Sequence, residues 1–274
     1  MLMSPSAEPR ETDAALVGAW LPRRTLDAHK GSQGHVLTLA GSRGMMGAAM
    51  FAAQAAFRAG AGLVTMAVSR EYYPILAVSV PEALFVFPEE TDVAAERYDA
   101  LVVGPGLSRR PEAAALIQTA AGAPVSQVWD ADALNMIAET EGLAYPARCV
   151  ITPHSGEMAR LCGVSPAEIQ SDRIGAARRY AAEKGVVTVL KGHRTVIAVP
   201  DGGAYVNPTG SPAMASAGMG DALAGMIAAL LAQGLSLEQA AVCGVYWHGL
   251  AGQRLMEGMT VTDLIREIPA AWPT

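Results

Sequence analysis

Glycine-rich and polar segments follow short apolar runs at five places along this chain of 274 residues. The runs are rich in branched aliphatic residues, as strands buried on both faces of a parallel sheet are. The carboxyl ends of parallel strands meet at one edge of the sheet, and ligands bind there. We therefore expect one site along that edge, built from Gly41, Gly104–Gly106, Asp130–Asp132, Thr152–His154 and Lys191–Gly192.

Strand-like and helical patterns alternate through most of the chain. This predicts an α/β protein, a three-layer α/β/α sandwich around a mostly parallel central sheet. Pro200–Gly203, between two short strand patterns, predicts one hairpin. We expect strands at His35–Ala40, Leu63–Val68, Ala100–Val103, Val125–Trp129, Cys149–Ile151, Val186–Leu190, Val196–Val199 and Ala204–Val206, and helices at Ala14–Trp20, Met45–Ala59, Pro111–Ala121, Ser165–Lys184, Gly218–Ala232 and Ser236–Met256.

The sequence also predicts the domain organisation. Residues 1–12 are expected to form a flexible N-terminal tail. Residues 13–274 are expected to form a single domain, because no linker or composition shift divides them.

The composition disfavours several classes of partner. A net charge of −6 argues against duplex nucleic acid and anionic membranes, which bind basic protein faces. No apolar run reaches the length of a membrane span, and the first residues lack the apolar core of a signal peptide. The three cysteines form no CxxC pair, so we expect free thiols in a reducing compartment, the cytoplasm.

Gly218–Asp221 places two glycines and an aspartate directly before an apolar helix. A helix N-terminus carries free N–H groups and a partial positive charge, and glycines let a phosphate approach them. In that setting Asp221 is a candidate base for a hydroxyl that attacks phosphorus. The alternative is a glycine loop in which Asp221 only caps the helix.

Two further segments are candidates for phosphate or substrate binding. Lys191–Thr195 joins two predicted strands, and its lysine can reach a phosphate as a point charge; the alternative is a solvated turn. The histidines show no metal-ligand spacing, and a lone histidine is more often structural than catalytic. His154 is the exception, since it follows Pro153 at a predicted strand end. Neither a P-loop nor a dinucleotide-binding fingerprint occurs in the chain.

Together these segments resemble the ribokinase-like superfamily, and within it the ADP-dependent NAD(P)H-hydrate dehydratases. Each motif is short, but their order along the chain is specific. Related vitamin kinases usually carry asparagine where this chain has His154, which favours the dehydratase. The loop before Gly218 departs from the family pattern of asparagine and more glycine. The motifs are His29–Gly31 with Gly34, Ala40–Ser42, Gly47–Ala49, Gly104–Leu107, Asp130–Asn135, Thr152–Glu157, Lys191–Thr195, Asn207–Gly210 and Gly218–Asp221, and the departures are Ser211, Ala213 and Ala217.

The resemblance implies a metabolite-repair enzyme acting on hydrated NADH or NADPH. It would dehydrate the S epimer with ADP as phosphoryl donor and Mg²⁺ as cofactor, releasing AMP and phosphate. Phosphorylation of the ring hydroxyl would replace hydroxide, a poor leaving group, by phosphate. Carried over residue by residue, the resemblance implies that Asp221 is the catalytic base, that Gly218 and Gly220 form the anion hole, and that Glu157 contacts the metal through water. The residues that it implies bind the substrate are Ala48, Gly106, His154 and Asp221. The residues that it implies bind the nucleotide are Lys191, Gly192, His193, Arg194, Thr195 and Gly220.

Other functions stay open at this point. A ribokinase-superfamily kinase for a vitamin precursor or sugar would use the same Asp221 and release a stable phosphorylated product. A non-catalytic nucleotide-binding module is a third interpretation, against which Asp221 and Lys191 argue. The resemblance also implies a homotetramer and a separate epimerase that interconverts the hydrate's epimers. Helices 218–232 and 236–256 are apolar enough for an interface, although the core is the simpler expectation.

Overall fold

The computed structural model describes residues 8–90 and 97–273. Ten strands of this part of the chain form one sheet, in the order β1-β10-β9-β8-β7-β6-β5-β2-β3-β4. All neighbours are parallel except β9, which is antiparallel to both β8 and β10. The strands are β1 Arg10–Glu11, β2 His35–Leu39, β3 Leu63–Ala67, β4 Leu84–Val86, β5 Ala100–Val103, β6 Ser126–Trp129, β7 Cys149–Ile151, β8 Val187–Leu190, β9 Val196–Ala198 and β10 Ala204–Val206.

Helices cover both faces of the sheet, which confirms the predicted three-layer α/β/α sandwich. Short 3-10 helices lie at Lys30–Gln33, Pro88–Glu90, Pro212–Met214 and Pro269–Ala271. The α-helices of the described residues are α1 Ala14–Trp20, α2 Met46–Arg58, α3 Tyr73–Ser79, α4 Pro111–Ala121, α5 Asp132–Glu139, α6 Ser155–Cys162, α7 Pro166–Ser171, α8 Arg173–Lys184, α9 Met219–Ala232, α10 Leu237–Gln253 and α11 Val261–Glu267.

The sheet separates two apolar cores. Alternate residues of β5 point to opposite faces: Ala100 and Val102 join the core under α2, α9 and α10, while Leu101 and Val103 join the core under α4–α8. A strand buried on both faces reads as a continuous apolar run, which is why β5 was recognisable from sequence. Helix α9 is buried along nearly its whole length, so it belongs to the core.

Helices α2 and α9 approach each other unusually closely. A Cβ on Gly225 of α9 would lie 2.1 Å from the carbonyl oxygen of Ala52 of α2, so only glycine fits there. Five alanines of α2 are fully buried in the same core: Ala49, Ala52, Ala53, Ala55 and Ala56. The close approach of these two helices therefore depends on small residues where they meet.

Two details differ from the sequence-based predictions. Arg10 and Glu11 lie in β1 rather than in a tail, because the open edge of β10 binds them, and Thr12 N–H donates to the Val206 carbonyl at 3.0 Å. Residues 1–7 of the predicted tail lie outside the described part. The helix predicted at Ser165–Lys184 is two helices, since Asp172 ends α7 and caps α8 by accepting from the N–H of Gly175 at 2.9 Å.

Other elements were not predicted at all. Helices α3, α5, α6 and α11, each seven or eight residues long, are among them. Strand β4 lies at the sheet edge and is only partly buried, although its three residues are all apolar. No helix of the described residues combines the length and the apolar character that a membrane span requires.

Candidate active site

The N-terminus of α9 follows a turn that only glycine can make. Gly218 has a φ of 91°, and a Cβ there would lie 2.8 Å from side-chain atoms of both Phe51 and Val261. Helix α9 then starts at Met219, which leaves the first N–H groups of the helix without intrahelical partners. Gly218 is the N-cap residue and Asp221 stands in the first turn, so the interpretation of Asp221 as the N-cap is wrong.

Asp221, the acidic residue in the first turn of α9, has a pKa far above the usual value of an aspartate. Burial raises the pKa of Asp221 to about 7, the negative charges of Asp130 and Glu157 add to the rise, and Lys191 opposes it. A carboxyl group that titrates near neutral pH can both accept and release a proton under working conditions. The geometry therefore fits the predicted role of a base.

Lys191 is the cation of the site. Its ammonium donates to Oδ1 of Asp130 at 2.7 Å and lies 3.9 Å from Oε2 of Glu157. Although burial alone would lower it, the two carboxylates raise the pKa of Lys191. The side chain is only 20% exposed, so the alternative of a solvated turn lysine is wrong.

The position of Asp130 follows from the strand order. Asp130, Glu157 and Lys191 follow β6, β7 and β8, which are consecutive strands of the sheet. Their side chains meet at its carboxyl edge, as the sequence pattern predicted. Asp130 was placed at this edge by sequence but was given no role, because its pairing with Lys191 depends on which strands are neighbours.

His154 and Glu157 cap helix α6 reciprocally. His154 Nδ1 accepts from the N–H groups of Gly156 at 3.0 Å and Glu157 at 3.2 Å, and Glu157 Oε2 accepts from the N–H of His154 at 2.8 Å. The imidazole is 55% exposed, and its Nε2 is 3.5 Å from Glu157 Oε1. An asparagine side chain can make the same cap, so His154 has a structural role here that does not distinguish a dehydratase from a kinase.

A cavity of about 650 Å³ opens beside this network. All five residues of Lys191–Thr195 line it, together with Gly220, so the structure brings the predicted nucleotide segment and the start of α9 to one space. The loop after β10 and the 3-10 helix Pro212–Met214 also contribute to the lining, with Ser211 before this helix and Ala215 after it. Met214, Leu223 and Val245 make part of the lining apolar. The lining thus combines the charged Lys191 with apolar side chains.

Ala48 and Gly106 contact each other but do not line this cavity. A Cβ on Gly106, whose φ is 58°, would lie 2.9 Å from Cβ of both Ala48 and Met45. Close packing between the loop after β5 and the start of α2 therefore requires small residues at both positions, whatever they bind.

His248 lines the cavity from α10 and was assigned a structural role by sequence. It is 7% exposed, and its Nε2 has no hydrogen-bond partner. Burial lowers the pKa of His248 to about 4, against an opposing hydrogen bond to the backbone of Met219, so the ring is neutral at physiological pH. Gly249 and Gly252 follow His248 in α10, and Thr209 and Met214 pack closely against them. The spacing of these glycines was the only feature of the α10 sequence that indicated close packing on this side of the cavity.

The donor set restricts how a metal ion could bind. Within the described ranges there is no group of three histidine, cysteine or acidic side chains arranged to hold a metal. Mg²⁺ typically uses one or two carboxylates, several waters and substrate phosphates rather than an all-protein cage. Glu157, buried beside Lys191 and Asp130, fits a water-mediated contact of that kind.

The comparison with protein families decides the assignment. A model of the NAD(P)H-hydrate dehydratase family matches residues 36–273. The chain belongs to this family. It is 40% identical to the ADP-dependent (S)-NAD(P)H-hydrate dehydratase of Neisseria meningitidis, over 90% of this chain and 87% of that protein. It is also 46% identical to the bifunctional NAD(P)H-hydrate repair enzyme of Moorella thermoacetica, over 93% of this chain but 53% of that protein. The chain thus spans about half the length of the bifunctional dehydratase relatives that it matches.

Solved structures of the family share the fold. The ADP/ATP-dependent NAD(P)H-hydrate dehydratase of Bacillus subtilis, co-crystallised with ATP and Mg²⁺, superposes with a TM-score of 0.88 at 33% identity, over 97% of this chain and 99% of that chain. A ribokinase-like superfamily protein of Enterococcus faecalis gives a TM-score of 0.86 at 28% identity, over 95% and 94% of the two chains. The predicted ribokinase-like fold is confirmed.

Proposed function

We propose that the chain dehydrates the S epimer of hydrated NADH or NADPH with ADP, releasing AMP and phosphate. The observation that carries this proposal is Asp221, a partly buried acid with a pKa of about 7 in the first turn of α9, beside a cavity lined by Lys191–Thr195. The N. meningitidis and B. subtilis relatives that carry this activity in their names support it.

In the proposed reaction, Asp221 accepts the proton of the hydroxyl group on carbon 6 of the hydrated ring. The hydroxyl oxygen forms a bond to the terminal phosphorus of ADP while the bond to the AMP oxygen breaks. The lone pair of the ring nitrogen then expels phosphate, and loss of a proton from the neighbouring carbon restores the dihydropyridine. The N–H groups at Gly218 and Gly220 would stabilise charge on the transferred phosphoryl group.

Lys191, Gly192, His193, Arg194 and Thr195 would hold the nucleotide, with the Lys191 ammonium at its phosphate end. Mg²⁺ would be held by Glu157 through water and by nucleotide phosphates, and when bound it neutralises charge on the transferred group. We propose ADP as the donor; ATP is the comparison in the assay, since the B. subtilis protein is described as ADP/ATP-dependent.

Ala48, Gly106 and His154 would contact the hydrate. The contact between Ala48 and Gly106 and the cap made by His154 also have purely structural explanations. The substrate role is therefore separable from the structural role only by variants that preserve packing and capping.

A single assay separates this function from a small-molecule kinase. Dehydration regenerates the dihydronicotinamide, whose near-ultraviolet absorbance returns, whereas a kinase would release a stable phosphorylated product. The hydrate is incubated with the protein, Mg²⁺ and either ADP or ATP. Absorbance that stays flat with both nucleotides contradicts the proposal, and nucleotide binding without any turnover would favour a non-catalytic module.

We also propose a cytoplasmic homotetramer that works with a separate epimerase. Ile75 and Val78 of α3 and Leu84 of the edge strand β4 are exposed apolar side chains, which supports self-association. The free thiols Cys149 and Cys243 are buried, in keeping with a reducing compartment. Light scattering after size-exclusion chromatography tests the tetramer.

A further inference from the structure

Arg173, the first residue of α8, lies against the turn that lines the nucleotide cavity. Its guanidinium donates to three backbone carbonyls of that turn, those of Leu190 at 3.0 Å, Lys191 at 3.2 Å and His193. A Cβ on Gly192 would lie 2.9 Å from the same guanidinium, so glycine is required for this approach. Arg173 itself is not among the residues that line the cavity.

Two of these hydrogen bonds fix the orientation of the peptide groups between residues 191 and 192 and between residues 193 and 194. The C=O and N–H of one trans peptide point in opposite directions. Since the carbonyls of Lys191 and His193 face Arg173, the N–H groups of Gly192 and Arg194 are directed away from it. Among the described residues, neither N–H has a hydrogen-bond partner, and such groups normally find one in a ligand or water.

The charge of Arg173 is also uncompensated locally. Within the described ranges it forms no ion pair with a carboxylate, whereas its helix neighbour Arg179 pairs with Asp172 at 3.1 Å. A guanidinium held against carbonyls leaves a net positive charge behind the turn. This charge favours an anion on the opposite side of the turn, where the cavity lies.

We propose that Arg173 is a positioning residue of the nucleotide site, which holds the 190–194 turn so that the free N–H groups of Gly192 and Arg194 face the phosphates of a nucleoside diphosphate. The inference rests on the proposed function for the identity of the nucleotide. It assigns a role to a residue that does not itself contact the ligand.

The test measures nucleotide binding apart from turnover. ADP with Mg²⁺ is titrated calorimetrically into wild type, Arg173→Ala and the control Arg179→Ala, which removes an exposed arginine from the same helix. Losing charge-assisted hydrogen bonds to the turn should raise the Kd for ADP about tenfold to hundredfold in Arg173→Ala. The control should bind as wild type does, and the KM for the hydrate should be unchanged in both variants.

Chemical rescue separates positioning from general stability. Added guanidinium ion should partly restore ADP binding to Arg173→Ala, because it can occupy the vacated place against the carbonyls. If that variant does not fold, Arg173→Lys serves instead, and its single ammonium should give an intermediate Kd.

Wild-type affinity for ADP in Arg173→Ala, or equal weakening of ADP and hydrate without rescue, overturns the inference. A wild-type protein that binds ADP but does not dehydrate the hydrate overturns the proposed function alone. A wild-type protein that binds no ADP overturns both.

Discussion

The ammonium of Lys191 lies 2.7 Å from Oδ1 of Asp130 and 3.1 Å from the place that a Cβ on Gly220 would occupy. The cation therefore stands between the carboxyl edge of the sheet and the first turn of α9. It partly offsets the negative charge that Asp130 and Glu157 impose on Asp221. The protonation of Asp221 thus depends on a lysine held in place by another residue.

The first prediction concerns the pH dependence of turnover. Asp221 must be deprotonated to act as a base, so kcat/KM should rise with pH through its pKa of about 7 and level off above it. A pH profile of hydrate dehydration measures this. A rate that does not change between pH 6 and 8, on the order of one unit either side of that pKa, would remove Asp221 from the mechanism.

Asp221→Asn should lower kcat by about 10²- to 10⁴-fold, the usual contribution of a general base. The exposed Asp27→Asn serves as the control and should leave kcat unchanged. Near-normal turnover in Asp221→Asn would refute the assignment of the base.

The same variant should change stability in a pH-dependent way. The pKa of Asp221 is raised on folding, so the unfolded state releases this proton at lower pH. Wild-type stability therefore falls as the pH rises from the ordinary aspartate pKa of 3.8 to about 7. Asparagine at position 221 does not ionise, so the variant does not lose stability in this way as the pH rises. Thermal melts should therefore show a larger gain in Tm for Asp221→Asn at pH 8 than at pH 4.

Removing the positive charge of Lys191 should shift the pH profile of kcat/KM. Lys191 lowers the pKa of Asp221, so Lys191→Met should move the ascending limb of kcat/KM to higher pH while also weakening ADP binding. Lys184→Met, at an exposed lysine that pairs with Glu183, is the control. A limb that stays in place or moves to lower pH would contradict this electrostatic account.

His154 allows the cap to be separated from substrate binding. His154→Ala removes an acceptor for two backbone N–H groups and should lower the free energy of unfolding by about 1 kcal/mol. His154→Asn keeps a capping oxygen but removes the imidazole edge, so stability should be retained while the KM for the hydrate rises. Unchanged KM for the hydrate, or an equal loss of affinity for ADP, would leave His154 with the capping role alone.

The sequence predicted the edge of the sheet where the site lies, because each cluster directly follows its own strand. It did not predict the pairing of Lys191 with Asp130, which are 61 residues apart. That contact depends on β6, β7 and β8 being neighbours, and strand order is not encoded in the local pattern of any one strand. The division between α7 and α8 at Asp172 was not predicted either, because a capping aspartate within a helical pattern looks like any polar surface residue.

The contact between α2 and α9 gives the last prediction. A Cβ at Gly225 would lie 2.1 Å from the Ala52 carbonyl oxygen, so Gly225→Ala must push apart α2 and α9, and α9 begins at the Gly218 turn. Overpacking of this kind costs about 1–3 kcal/mol, and chemical denaturation should show that loss. Gly18→Ala in α1 is the matched control, since no atom lies within 4 Å of the added Cβ. There, alanine should stabilise the helix by up to about 1 kcal/mol. Equal stability changes in the two variants would mean that α2 and α9 are not held at this distance.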